Sequence, residues 1–197
     1  MTLWFTIAAI AGYLMGSIPF GLLITRLAGL GDIRAVGSGN IGATNVLRTG
    51  RKDLALITLL ADSFKAGLSV LALTLISGSR DVGLIAGAFA FLGHCYPIWL
   101  GFKGGKGVAT YAGLLLFATW QGFIVAAPIW LALFALTRIS SLAALVAAAC
   151  APIGAYLLGE THFAVAILLA LSVLVFWTHR ANIGRLIKGE EPRFGSK

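Results

Sequence analysis

The sequence predicts an all-α integral membrane protein: one domain of seven transmembrane helices, N-terminus outside, C-terminus in the cytoplasm. Three observations carry that prediction. Apolar residues fill 59% of the 197 positions and charged ones only 11%, for a mean hydropathy of +0.94, far outside the range of soluble domains. The apolar positions form runs long enough to cross a hydrocarbon core of about 30 Å, which takes about 20 helical residues. The basic residues collect in alternate loops, as the positive-inside rule requires.

Five runs are unambiguous: Leu3 to Ile24, Leu54 to Ser77, Val82 to Leu100, Ile139 to Leu158 and Phe163 to Trp177. The stretch from Val108 to Leu136 is long for one span and short for two, and Trp120-Gln121-Gly122 interrupts it with an interfacial turn. Splitting it into short spans four and five places Arg26, Arg34, Arg48, Arg51, Lys52, Lys103, Lys106, Arg138, Arg180, Arg185, Lys188, Arg193 and Lys197 on one side, thirteen of the fifteen basic residues. Arg80 alone falls opposite, and Lys65 lies inside span two. A single span there would put the basic tail outside, so two are predicted.

The first run lacks a basic leader and a small-residue cleavage site, which predicts a retained span. Ala8, Gly12 and Gly16 recur at four-residue spacing, as do Gly83 and Gly87, and predict close helix approach. Pro19, Pro128 and Pro152 predict kinks in spans one, five and six. Cys95 and Cys150 lie in apolar runs without a CxxC pattern and read as buried thiols. The net charge of +8 reflects topology and anionic headgroups rather than nucleic acid.

Against this apolar background three polar stretches stand out, all on the predicted cytoplasmic side. Gly37 to Arg48, GSGNIGATNVLR, combines glycines with the donors Ser38, Asn40, Thr44 and Asn45 and the fixed charge of Arg48. Such a backbone can turn its N–H groups into an anion-binding nest, to which Gly39 belongs. Lys103-Gly104-Gly105-Lys106-Gly107 sets two ammonium groups just before a helix start. It is not a nucleotide loop: one residue is missing before Gly-Lys, and glycine follows Lys106 where Ser or Thr would hold magnesium. In the third stretch, HRANIGRLIKGEEPR, His179, Asn182 and Arg185 follow at three-residue intervals and share a helix face. A shorter loop, Thr137 to Ser141, adds Ser141 on the same side as a further candidate for binding substrate phosphate.

Asp62 and Lys65 stand three apart within span two and predict an intramembrane ion pair, either supporting or touching a ligand. His94 reads as a buried, hydrogen-bonded histidine, and His162 beside Glu160 as interfacial. No carboxylate pair, HExxH, cysteine cluster or GxSxG elbow is present, so metal-dependent and serine hydrolase chemistry have no support, and no metal or cofactor is expected.

SGNIGATN, GHCYPIWLGFKGGKGVAT and HRANIGRLIKGEEPR, in this order on a seven-span chain, resemble the bacterial acyl-phosphate:glycerol-3-phosphate acyltransferases of PlsY type nearly end to end. The resemblance implies a multi-pass inner-membrane enzyme with its active site facing the cytoplasm. It implies transfer of a fatty acyl group from acyl phosphate to the sn-1 hydroxyl of glycerol-3-phosphate, giving lysophosphatidic acid and inorganic phosphate, the opening of phospholipid synthesis. Partners are then the two substrates, membrane lipid and, functionally, an enzyme that makes acyl phosphate.

By the same mapping Ser38, Lys106, His179 and Asn182 are catalytic, Lys103 to Gly107 holds glycerol-3-phosphate, the first motif and Arg185 bind phosphate, and Glu190 is structural. A substrate-assisted route without covalent acyl-enzyme is preferred, since acyl phosphate is already activated. The rival readings are a transporter or flippase for an organic phosphate, and a lipid-binding scaffold.

Overall fold

The computed structural model describes residues 1–37 and 39–195; Ser38 and Lys197, both invoked above, lie outside them. Among the described residues ten α-helices separated by loops form two compact units, Met1–Ala118 and Thr119–Lys197. The boundary falls within the stretch whose span count hydropathy leaves open.

Unit 1 contains α1 (Thr2–Gly16), α2 (Phe20–Leu27), α3 (Ala43–Leu47), α4 (Lys52–Ser77), α5 (Arg80–Cys95) and α6 (Val108–Ala118), with short 3-10 turns at Ile33–Ala35 and Ile98–Leu100. The small-residue stripe of α1 lies directly on α5. A Cβ built on Gly12 would sit 2.1 Å from the Ala86 carbonyl oxygen, and one on Gly16 2.0 Å from that of Ala90. Ala8, Val82 and Ala86 close this seam with no exposed surface. Dispersion contacts hold such a seam in lipid, where burial from water is not available.

α6 is fastened to α4 in the same way. A Cβ on Gly113 would meet the Ser63 carbonyl oxygen at 1.9 Å, and Gly67 faces the Phe117 ring. A second cluster, Leu22, Ile33, Val46, Leu54 and Ala55, anchors the first polar stretch to α2 and α4.

Unit 2 contains α7 (Trp120–Thr137), α8 (Ser140–Leu157), α9 (His162–Thr178) and α10 (Arg180–Ile187). The Ser172 hydroxyl donates to the Ala148 carbonyl at 2.7 Å and ties α9 to α8. The last described residues fold back onto α7: Phe194 N–H donates to the Arg138 carbonyl at 2.7 Å, and its ring lies 6.0 Å from that of Phe134.

Five helical segments are long and apolar enough to cross a membrane, and α9 with α10, bent by 62°, makes a sixth if counted as one. α6, with 11 residues, is a shorter apolar helix. The sequence-based boundaries differ from this in two places. The break between spans four and five lies at Thr119, one residue before Trp120, and α7 is 18 residues long rather than short. Pro19 does not kink a continuous helix: α1 ends at Gly16, and Pro19, with no N–H to give the ladder, heads α2. α7 and α8 continue through Pro128 and Pro152.

Candidate active site

The first two polar stretches belong to unit 1 and the third to unit 2, and each takes its geometry from its own unit. In the first, the loop is organised from inside by Asn45. Its side chain is 1% exposed, and its amide nitrogen donates to the carbonyls of Ile33 at 3.0 Å, Val36 at 2.9 Å and Asn40 at 2.8 Å. An amide has two hydrogens to give, so they are engaged with the main chain, and the residue expected to bind phosphate instead shapes the loop that would.

Gly37, at φ +57°, is required where it stands. A Cβ there would lie 2.5 Å from Asn45 Oδ1 and 2.9 Å from Arg48 Cδ, so the Arg48 side chain lies over this glycine. Arg48 is exposed, Gly39 is exposed at φ +69°, and Asn40 and Thr44 are half-buried. Replacing Asn45 with alanine should leave the Asn40 carbonyl without this donor, while those of Ile33 and Val36 keep the N–H groups of Val36 and Gly39, and should cost about 1–3 kcal/mol. Limited proteolysis confined to residues 30–50 checks this, and a loop as resistant as the parent would rule it out.

The Lys103–Gly107 loop is seated on the C-terminus of α5. Gly104 N–H donates to the Cys95 carbonyl at 3.1 Å and Gly105 N–H to that of His94 at 2.9 Å. The two glycines therefore satisfy helix-end carbonyls and do not offer these N–H groups to an anion, contrary to the expectation from sequence. Their lack of a side chain allows the close approach: a Cβ on Gly104 would be 2.1 Å from His94 O, and one on Gly105 2.0 Å from His94 Nε2. What the loop does present is exposed Lys103, half-buried Lys106 and the start of α6. Gly107, at φ +84°, turns the chain into that helix against the Phe91 ring. Behind the loop, Lys65 pairs with Asp62 at 2.9 Å.

In unit 2 the third stretch is organised by a residue that sequence reasoning passed over. Glu191 accepts from the Ser141 hydroxyl at 2.7 Å, from the Asn182 amide, and from Arg185 Nε at 2.7 Å, with its side chain 7% exposed. Glu190, the carboxylate expected to be structural, is exposed to solvent. The two are adjacent in an irregular segment after α10, where no periodicity separates them. The signal that could have found Glu191 is the pair of cation and amide on one face of α10, which need an acceptor.

Burial opposes the charged form of Glu191, yet the hydrogen bonds from Asn182, Ser141 and Arg185 outweigh it and hold the carboxyl below its ordinary value. A depressed acid stabilises the fold fully above its unfolded value, about 4.3 for Glu, and the contribution is lost as pH falls through the folded value. Melting temperature should therefore drop on acidification more steeply in the parent than in Glu191→Gln. Parallel acid profiles would contradict this.

His179 marks the corner between α9 and α10, 3% exposed. Its Nδ1 lies 2.8 Å from the Val175 carbonyl, which can only accept. The neutral ring thus carries its proton on Nδ1 and a lone pair on Nε2. Arg185 commits Nε to Glu191, and among the described residues nothing takes its two terminal NH2 groups. Arg180 stacks on Trp177, 5.0 Å from the ring centre.

Comparison with known proteins places the whole chain. The family profile described as glycerol-3-phosphate acyltransferase matches residues 6–189, through both units. The glycerol-3-phosphate acyltransferase of Hyphomonas neptunium is 68% identical over 195 residues, 98% of this chain and 94% of that one. The crystal structure of PlsY, an integral membrane glycerol 3-phosphate acyltransferase, superposes in its glycerol 3-phosphate form with a TM-score of 0.90 and 36% identity, covering 97% of this chain and 96% of that one. Its lysophosphatidic acid form gives 0.88 and 35%, covering 97% and 95%. With the match running from the first helix to the last, this chain belongs to the glycerol-3-phosphate acyltransferase family.

Proposed function

We propose that the chain moves a fatty acyl group from acyl phosphate to the sn-1 hydroxyl of glycerol-3-phosphate, releasing lysophosphatidic acid and inorganic phosphate. The observation that carries this reading is the likeness over nearly the whole chain to PlsY in forms holding glycerol 3-phosphate and lysophosphatidic acid. An acyl phosphate donor is favoured by the residues. Arg48, Lys103, Lys106 and Arg185 supply more positive charge than one phosphate needs, and no histidine has an aspartate five residues on, as the thioester-using type does.

The reaction needs little from the protein beyond orientation and charge. The sn-1 oxygen attacks the acyl carbonyl carbon, the bond from that carbon to the phosphate oxygen breaks, and the phosphate departs with the electron pair. Phosphate, with a second pKa near about 6, can take the hydroxyl proton as it leaves, so no acyl-enzyme forms. Lys106 and Arg48 offset charge on the phosphates. His179, protonated on Nδ1, offers Nε2 as an acceptor that orients the attacking hydroxyl, held at its corner by Val175. Asn182 and Arg185, braced by Glu191, complete the setting, and Ser38 is kept in its catalytic role as a proposal. Seven spans with α6 as the fourth, an outside N-terminus and a cytoplasmic site are read from the distribution of basic residues, the inner membrane from the likeness to PlsY, and functional coupling to an enzyme that makes acyl phosphate from the donor.

Purified protein in detergent, given palmitoyl phosphate and glycerol-3-phosphate, should release phosphate and form lysophosphatidic acid in equal amounts. Lys106→Ala should lower kcat/KM about 100-fold. No phosphate release, with uptake of glycerol-3-phosphate into vesicles instead, would replace the enzyme by a transporter.

A further inference from the structure

Three ionisable side chains for which the transfer itself has no use are buried where α4 meets α5. Asp62, Lys65 and His94 are 2%, 2% and 4% exposed. Lys65 Nζ stands 2.9 Å from Asp62 Oδ1, 2.9 Å from His94 Nδ1 and 3.0 Å from the carbonyl of Ile18, in the break between α1 and α2. An ammonium has three hydrogens to give and accepts nothing; here it donates to His94 Nδ1 and the Ile18 carbonyl and pairs electrostatically with the Asp62 carboxylate.

The consequence for His94 is a fixed tautomer. A proton on Nδ1 would face the ammonium, so Nδ1 accepts and the ring proton sits on Nε2. That nitrogen faces Gly105, where a Cβ would be 2.0 Å away, and all three atoms nearest to such a Cβ belong to the imidazole. The backbone of the same histidine receives Gly105 N–H, and its neighbour Cys95 receives Gly104 N–H. The loop thus rests on His94 by both main chain and ring.

Burying a charged pair within a membrane helix is costly, and apolar side chains would join α4 to α5 more cheaply. We propose that Asp62, Lys65 and His94 are positioning residues: they fix the imidazole against which Gly105 is seated, and so place Lys106 for the phosphate of glycerol-3-phosphate. This rests on the reading that the Lys103–Gly107 loop holds that substrate. The group acts through Lys106 on the acceptor and leaves binding of the acyl donor untouched.

Steady-state kinetics in both substrates, with thermal melting in detergent, test it. His94→Asn keeps an acceptor for Lys65 and removes the outer ring edge. It should raise KM for glycerol-3-phosphate about tenfold, with KM for the acyl donor changed less than about twofold. Asp62→Asn, which keeps the side chain's shape, should show the same selective rise even if His94→Asn proves too unstable to assay. Gly105→Ala should also raise this KM, and His94→Asn with Gly105→Ala should raise it by less than the product of the single effects, because the ring that the new methyl meets has gone. A product of independent effects, or equal changes in both KM values and in kcat, would make the group merely structural and overturn the proposal. Lys106→Ala separates the two layers. If it raises KM for glycerol-3-phosphate while His94→Asn and Asp62→Asn do not, the positioning role fails alone. If it leaves that KM unchanged, the loop reading fails and takes the inference with it.

Discussion

Glu191→Ala should lower kcat/KM by about 100-fold or more and cost about 2 kcal/mol of stability. The carboxylate joins two helices, α8 at Ser141 and α10 at Asn182 and Arg185, to the segment that follows α10. Its removal leaves a guanidinium, an amide and a hydroxyl facing a hole, and a stranded donor costs more than the bond itself contributed. Breaking a buried ion pair costs about 3–5 kcal/mol, but Arg185 is 37% exposed, so solvent recovers part of that. The activity loss exceeds what stability explains, because Arg185 and Asn182 lose their direction as well as a partner. Glu191→Gln can still accept but not carry charge and should fall between. Glu190→Ala, exposed and one residue away, should be silent in melting and kinetics. Equal effects at 190 and 191 would show that the hub is drawn at the wrong residue.

The second large effect is expected in the seam between α1 and α5. Gly16→Val should cost about 3 kcal/mol or more, since its Cβ would lie 2.0 Å from the Ala90 carbonyl oxygen and 2.6 Å from the carbonyl carbon, backbone atoms that no rotamer change can move. α1 would have to separate from α5, whose last turn carries His94, so activity should fall with the folded fraction. Gly184→Ala is the contrast. That glycine lies in the third polar stretch, nothing stands within 4 Å of a Cβ there, and its helix should gain about 0.5–1 kcal/mol. Melting temperatures in one detergent read both, and a neutral Gly16→Val would mean that the seam is looser than drawn.

The two substitutions mark what a reader of the residues can and cannot see. The Ala8, Gly12, Gly16 stripe is visible because spacing alone puts small residues on one face, and a face without side chains can only be approached by backbone. Hydropathy likewise places the long helices, and it misplaces the break at Thr119 by a residue because apolar character continues across it. The polar loops resist such reading. Asn45 looks like a donor for a ligand, and only the fold shows that its amide faces the carbonyls of Ile33, Val36 and Asn40. Gly104 and Gly105 look like a nest, yet their N–H groups are taken by the end of α5. Composition gives the donors of a loop but not their direction.

α6 has one further consequence. Eleven residues rise about 16 Å, half of a hydrocarbon layer about 30 Å deep. Tilting does not mend a helix that is too short, and Gly113 against Ser63 and Gly67 against Phe117 prevent it from sliding along α4. If α6 crosses as the fourth span, the bilayer must therefore thin around it, drawing headgroups toward its ends at a modest elastic cost. The thinned annulus brings water and phosphate down to meet the acyl chains, at the place where a soluble alcohol and a lipid tail have to share one reaction.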